Sequence, residues 1–194
     1  MGQNYLDILR AYLEDLNHGE LSGAFWNLVN RSIRTMTVQR GAQLCSELNV
    51  PSHCWFVACG LAMEYIYDDM GQKVPLRFFH REAFIPFGFL EKQCGRTTCE
   101  MITNGTVFAT SYRQLTDLWN LQPEAHRLFH LALSDYAQRG RLREQILILA
   151  AEDRIRYVHE KHPELILTIS AKDLAHYLNM SQPTYSRLKN RIFN

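Results

Sequence analysis

The chain has 194 residues, 46% of them hydrophobic, which suits one large domain or two small ones around a real core and excludes disorder. Its formal net charge is +1, so the molecule as a whole is no polycation, and contact with nucleic acid has to come from a local concentration of Lys and Arg. No run reaches the roughly 18 consecutive apolar residues of a membrane span, and Met1-Gly2-Gln3-Asn4 lacks the basic-then-apolar order of an export signal. The chain therefore reads as cytoplasmic, with no membrane partner. Cys45, Cys54, Cys59, Cys94 and Cys99 are odd in number in a chain without an export signal, and are expected as reduced thiols packed like small apolar residues.

Leu6, Leu9, Leu13 and Leu16 recur at steps of three and four, which predicts an amphipathic helix over Tyr5 to Leu16. From Ile33 to about Thr110 the pattern turns to short β-prone runs: Trp55-Phe56-Val57, Met63-Glu64-Tyr65-Ile66-Tyr67 and Thr106-Val107-Phe108. Turn signals at Gly41, Gly60, Asp68-Asp69-Met70-Gly71 and Asn104-Gly105 separate them, so this stretch reads as a β-sandwich or jelly roll. After Pro123 the pattern is helical. Phe129, Ala132, Tyr136, Leu147 and Ala150 form a stripe, with a possible kink at Gly140, and the stretch Leu142 to Ala151 is apolar on more than one face. Such a helix needs partners on two sides: a second copy of itself, or its own β-domain alone. Pro163 is expected to end the segment Glu152 to His162. The fold class is α+β, divided at 1–121, 122–150 and 151–194.

The last block, from Thr168 to Asn194, reads as a helix-turn-helix. Ser170 with Asp173 three residues on has the spacing of a capping box, and Leu174 and Leu178 give the helix Ala171 to Leu178 an inward face. Asn179 tolerates a left-handed backbone and makes the turn, Met180 plugs the corner, and Ser181 caps the next helix. In that helix Tyr185, Leu188 and Ile192 share one face; Pro183, Ser186, Arg187, Asn190 and Asn194 lie opposite. From Ser181 to Asn194 there are three basic residues and no acidic one, as a DNA-facing surface requires. Arg grips guanine bidentately and Asn or Gln grips adenine, so Gln182, Ser186, Arg187 and Asn190 are the candidate base readers. Lys172, Ser181, Thr184, Lys189 and Arg191 are placed for phosphates. The same face also suits a hairpin that docks protein, or one that is merely solvated.

Trp55-Phe56-Val57-Ala58-Cys59-Gly60-Leu61 is similar to a hydrophobic-x-x-Gly strand, and Met180 to Arg187 to a recognition helix, of the Crp/Fnr family of bacterial transcription regulators. The order of elements resembles that family over nearly the whole chain, and Glu152-Asp153-Arg154-Ile155 to His162-Pro163-Glu164-Leu165 looks like a subgroup common in the Bacteroidetes. The resemblance implies a double-stranded β-helix (jelly-roll) sensor domain of the cyclic nucleotide-binding type at 1–121, a dimerisation helix at 122–150 and a helix-turn-helix at 151–194. It implies a homodimer on double-stranded DNA, no enzymatic activity, a possible small-molecule effector and RNA polymerase as a further possible partner. Because the chain stops at Asn194, the wing that often follows the recognition helix is expected to lie before it or be reduced.

Gly95-Arg96-Thr97-Thr98-Cys99 resembles the family's phosphate-binding element, an Arg followed by a small hydroxyl residue. The Gly-Glu element that holds the ribose is missing, and Phe84-Ile85-Pro86-Phe87-Gly88-Phe89-Leu90 stands in its place. A cyclic nucleotide would leave a ribose hydroxyl against apolar groups, a loss of about 1–3 kcal/mol. The cofactor therefore stays unassigned: the effector candidates are Phe84, Phe87, Gly88, Arg96 and Thr97, and the alternatives are a cyclic nucleotide, an apolar or aromatic ligand, and none. Phe78, Phe79, Phe84, Phe87 and Phe89 read equally well as core. A cupin-like metal enzyme is the rival on such a β-roll, but His53, His80 and Glu82 assemble no convincing ligand set, and Cys54-x4-Cys59 with Cys94-x4-Cys99 lacks the clustering an iron–sulfur site needs.

Overall fold

A computed structural model describes residues 5–45, 53–80, 82–86 and 97–193. They fall into two compact units, residues 1–62 with 79–137, and residues 63–78 with 138–194.

The first unit opens with α1 (Tyr5–Asn17), which buries Leu9 and Tyr12. Tyr5, Ile8, Leu13 and Leu16 complete its packed side, while Leu6, expected inside, is exposed because the apolar stripe runs on the other flank of Leu9. A second helix that the periodicity did not announce follows: α2 (Gly23–Ser32) starts where Ser22 accepts a hydrogen bond from the Phe25 amide, and it buries Phe25 and Val29. The strands β1 (Arg34–Val38), β3 (His53–Cys59), β6 (Ala83–Ile85) and β8 (Gly105–Ser111) form an antiparallel sheet in the order β1-β8-β3-β6. Trp55 stands opposite Ile85 on one side and Ala109 on the other.

Both faces of this sheet are buried, which is why Trp55 to Ala58 reads as a continuous apolar run rather than an alternation. Val57, Ala83, Ile85 and Val107 point to one core, shared with β2 (Gln43–Cys45) and β7 (Thr98–Met101), an antiparallel pair in which Cys45 faces Cys99. Phe56, Ala58 and Phe108 point to the other, against α1 and α2. Gly60 leaves β3 at φ +101, and a Cβ there would come within 2.9 Å of the Asn104 carbonyl oxygen, so the turn needs glycine. The sheet ends in α3 (Tyr112–Leu121), also unannounced by periodicity and opened by a full capping box between Ser111 and Gln114.

One helix then runs from Pro123 to Ile148 (α4) with no break at Gly140. Phe129, Ala132 and Tyr136 are buried as the stripe predicts, but Ala150 lies past the end of the helix, and Ile146 takes the buried place. Ile148 is 84% exposed.

In the second unit β4 (Ala62–Tyr67) and β5 (Lys73–Phe79) are neighbours, joined by a turn in which the Asp68 carboxylate accepts from the Met70 and Gln72 amides. Buried Glu64 pairs with Arg77 at 3.4 Å. This ion pair explains Gly140: a Cβ there would lie 2.8 Å from the Arg77 guanidinium, so the glycine is a seat for that side chain and not a kink. Gly140→Ala gains about 1 kcal/mol of helix propensity. It also pushes the guanidinium off a buried carboxylate, a separation that costs about 3–5 kcal/mol. Urea denaturation is expected to show a net loss of about 2–4 kcal/mol.

The remaining helices are α5 (Ala151–Lys161), α6 (Pro163–Thr168), α7 (Ala171–Tyr177) and α8 (Gln182–Phe193). Pro163 does not simply end a segment; it is the first residue of α6, where its missing amide hydrogen costs nothing. α8 packs on α7 and α5, and Ile155, Val158, Leu174, Leu178, Tyr185 and Leu188 are buried in this unit.

Candidate nucleic-acid interface

The turn between α7 and α8 is set by hydrogen bonds that its sequence permits. The Asn179 amide donates to the His176 carbonyl and the Met180 amide to the Ala175 carbonyl, each at 3.0 Å, with Asn179 left-handed at φ +55. That is the Schellman pattern, and asparagine is the side-chain-bearing residue that bears it best. Ser170 caps α7 by accepting from the Asp173 amide, and its hydroxyl donates a hydrogen bond to the Asp173 carboxylate at 2.7 Å. At α8 the Ser181 hydroxyl accepts from the Thr184 amide at 3.3 Å and shares a hydrogen bond with the Thr184 hydroxyl.

Two arginines fix this pair of helices from below. Arg154 donates to the carbonyls of Leu147 and Leu149 at the end of α4 and to that of Leu178 at the end of α7, all at 2.9–3.0 Å. Arg143 donates from Nε to the Tyr177 carbonyl at 2.9 Å and lies over the Tyr177 ring. Burial pushes the Tyr177 phenol up to about 12, so the ring stays neutral beneath the guanidinium. Helix C-termini carry partial negative charge, which these cations answer. Neither arginine was a sequence-level candidate. Their carbonyl partners lie up to 34 residues away, and no local spacing signals such a contact.

The candidate base readers Gln182, Ser186, Arg187 and Asn190 are all exposed on one side of α8, opposite buried Tyr185 and Leu188 and half-buried Ile192. Among the phosphate candidates Lys172 and Ser181 are exposed, Thr184 and Lys189 half-buried. Arg191, also exposed, is paired with Glu152 of α5. Asn194 lies outside the described residues. Lys189 stands near His159, whose ring stacks on Phe193 with centroids 4.3 Å apart.

Burial first, and the Lys189 charge second, hold His159 below its ordinary value of 6.5. The unfolded chain therefore takes the proton first, so this ring's contribution to stability is complete above pH 6.5 and is lost as pH falls through the lower folded-state value. The difference in melting temperature between the parent and His159→Phe is expected to move in favour of the variant as pH is lowered from about 7 to about 5.

No protein-family model matches the sequence, and no curated protein matches it. Solved structures do match in three dimensions. FixK2 from Bradyrhizobium japonicum is similar at a TM-score of 0.68 and 16% identity, over 82% of this chain and 84% of that one. CLP from Xanthomonas campestris, a c-di-GMP-responsive global regulator, is similar at 0.66 and 17% identity, over 88% and 91%. A CRP-family transcriptional regulator from Thermus thermophilus is similar at 0.63 and 18% identity, over 81% and 83%. The chain has the fold of Crp/Fnr transcription regulators.

On this Crp/Fnr fold the effector candidates divide. Phe84 packs its ring edge-on against Phe129 of α4, with centroids 5.6 Å apart, and Thr97 is half-buried just before β7. Phe87, Gly88 and Arg96 lie outside the described residues, as do Phe89 and Cys94. Phe79 is fully buried core, and Phe78 packs on Tyr177. Cys45, Cys54 and Cys99 are buried. Among the described residues no group of three His, Cys, Asp or Glu side chains comes together in a way that could hold a metal ion, and no helix is long and apolar enough to cross a membrane.

Proposed function

We propose that this chain is a sequence-specific DNA-binding transcription regulator of the Crp/Fnr type, with α7 and α8 as its helix-turn-helix and α8 as the recognition helix. The observation that carries the reading is the face of α8: Gln182, Ser186, Arg187 and Asn190 stand free on a helix whose other side is anchored. These residue types form the hydrogen-bond pairs that distinguish bases in the major groove. Lys172, Ser181, Thr184, Lys189 and Arg191 flank that face as phosphate contacts.

One such helix offers few contacts, so the functional unit is a homodimer joined along α4, with a jelly-roll effector domain at 1–121, the dimerisation helix at 122–150 and the DNA-binding part at 151–194. The exposed Ile148 at the end of α4 suits a partner helix. The protein acts in the cytoplasm, without catalysis, on double-stranded DNA, and RNA polymerase is its downstream partner. The Glu152 to Leu165 stretch supports a place in the Bacteroidetes-type subgroup.

Selection of duplexes from a random pool tests this directly. The expected result is a near-palindromic site with half-sites about one helical turn apart. Its affinity is expected to fall about 1,000-fold or more between 50 and 200 mM salt, as released counterions demand. A pool that returns no enriched duplex, or binding indifferent to salt, would overturn the reading.

A further inference from the structure

Within the first unit lies a cavity of about 100 Å³ between the outer face of the β1-β8-β3-β6 sheet and α1 to α4. Small side chains make the room: Cys54 and Ala109 on the sheet, Ala125 and Ala132 on α4. Aromatic rings wall it, with Phe56 set between Tyr12 at 5.1 Å and Phe108 at 6.3 Å between centroids. Three hydroxyls on its wall are already bonded elsewhere, while the indole N–H of lining Trp55 is buried without a hydrogen-bond partner. The Tyr12 hydroxyl donates to the Asp135 carboxylate at 3.1 Å, the Ser32 hydroxyl to the Leu28 carbonyl at 2.9 Å and the Thr110 hydroxyl to the Ser32 carbonyl at 2.8 Å.

We propose that this cavity is a binding site for an uncharged, single-ring aromatic or similarly compact apolar molecule. Size supports it, since an engineered apolar cavity of about 150 Å³ stays dry and takes up benzene or xenon. Chemistry supports it too, because a charged ligand would be stripped of water and find no charged side chain among the described lining residues, only the neutral Trp55 indole N–H. An occupant regains the dispersion contacts that the empty space forfeits. Of the two effector candidates among the described residues, Phe84 lines the cavity and Thr97 does not. The site is independent of the DNA-binding reading, since its test needs no DNA.

The full chain is titrated with toluene, and with benzoate as the charged counterpart of nearly the same shape, by calorimetry and thermal melting. Toluene is expected to bind saturably and raise the melting temperature, at least tenfold more tightly than benzoate. Ala132→Leu fills the space and is expected to remove toluene binding; Ala125→Leu, from the other turn of α4, serves the same end should the first not fold. Exposed Ala171→Leu is expected to bind toluene as the parent does. No saturable toluene binding, equal affinity for benzoate, or undiminished binding in a folded filled variant would each overturn the proposal.

Discussion

Arg154→Ala is expected to cost about 3 kcal/mol of stability in urea denaturation. The guanidinium answers three carbonyls at once, those of Leu147, Leu149 and Leu178. Hydrogen bonds with one charged member contribute about 1.5–3 kcal/mol each, and the bonds to Leu147 and Leu178 are part-buried, where lost partners are not fully replaced by water. Arg154→Lys presents one point charge in place of a planar fork and is expected to recover less than half of the loss. Because the Leu178 carbonyl sits at the turn before α8, DNA affinity measured at a temperature where the variant is folded is expected to fall as well. Unchanged stability in Arg154→Ala would show that the clamp is dispensable.

Arg187→Ala is expected to weaken binding to the selected duplex by about 5- to 150-fold, the equivalent of the 1–3 kcal/mol that a bidentate base contact supplies. It is also expected to relax sequence preference at one position of each half-site, read by repeating the random-pool selection with the variant. Lys189→Ala makes the contrast: it is expected to weaken all duplexes alike and to lower the salt slope by about one. The two positions differ in setting as well as chemistry, since Arg187 is exposed and Lys189 is half-buried. Should both variants retain the parent's sequence preference and affinity, the reading face would have to be placed elsewhere.

The outward face of α8 was legible because burial on a packed helix follows its period, and Tyr185 and Leu188 are anchors that periodicity alone identifies. Asn179 was legible for a different reason: few residues accept a positive φ, so the turn could be placed on chemistry. The strands around Trp55, Tyr65 and Val107 were legible from apolar runs between turn residues. α3 escaped although Ser111 and Gln114 carry a capping box, because the helix follows β8 directly, with no loop between them. Gly140 was misread because a helical glycine suggests flexibility until the side chain that occupies its empty flank is known, and Arg77 is 63 positions away in sequence. The phosphate-element candidates Arg96 and Thr97 remain a resemblance, with only Thr97 among the described residues.

The shared guanidinium of Arg154 bears on modularity. A division at residue 151 cuts the chain between Arg154 and two of the three carbonyls it holds, and it also discards Arg143, the donor to Tyr177. A graft of α5 to α8 onto another protein would therefore have to carry the last two turns of α4 with it, starting ahead of Arg143. The end of α4 and the helices α5 to α8 are, in engineering terms, a single exchangeable part.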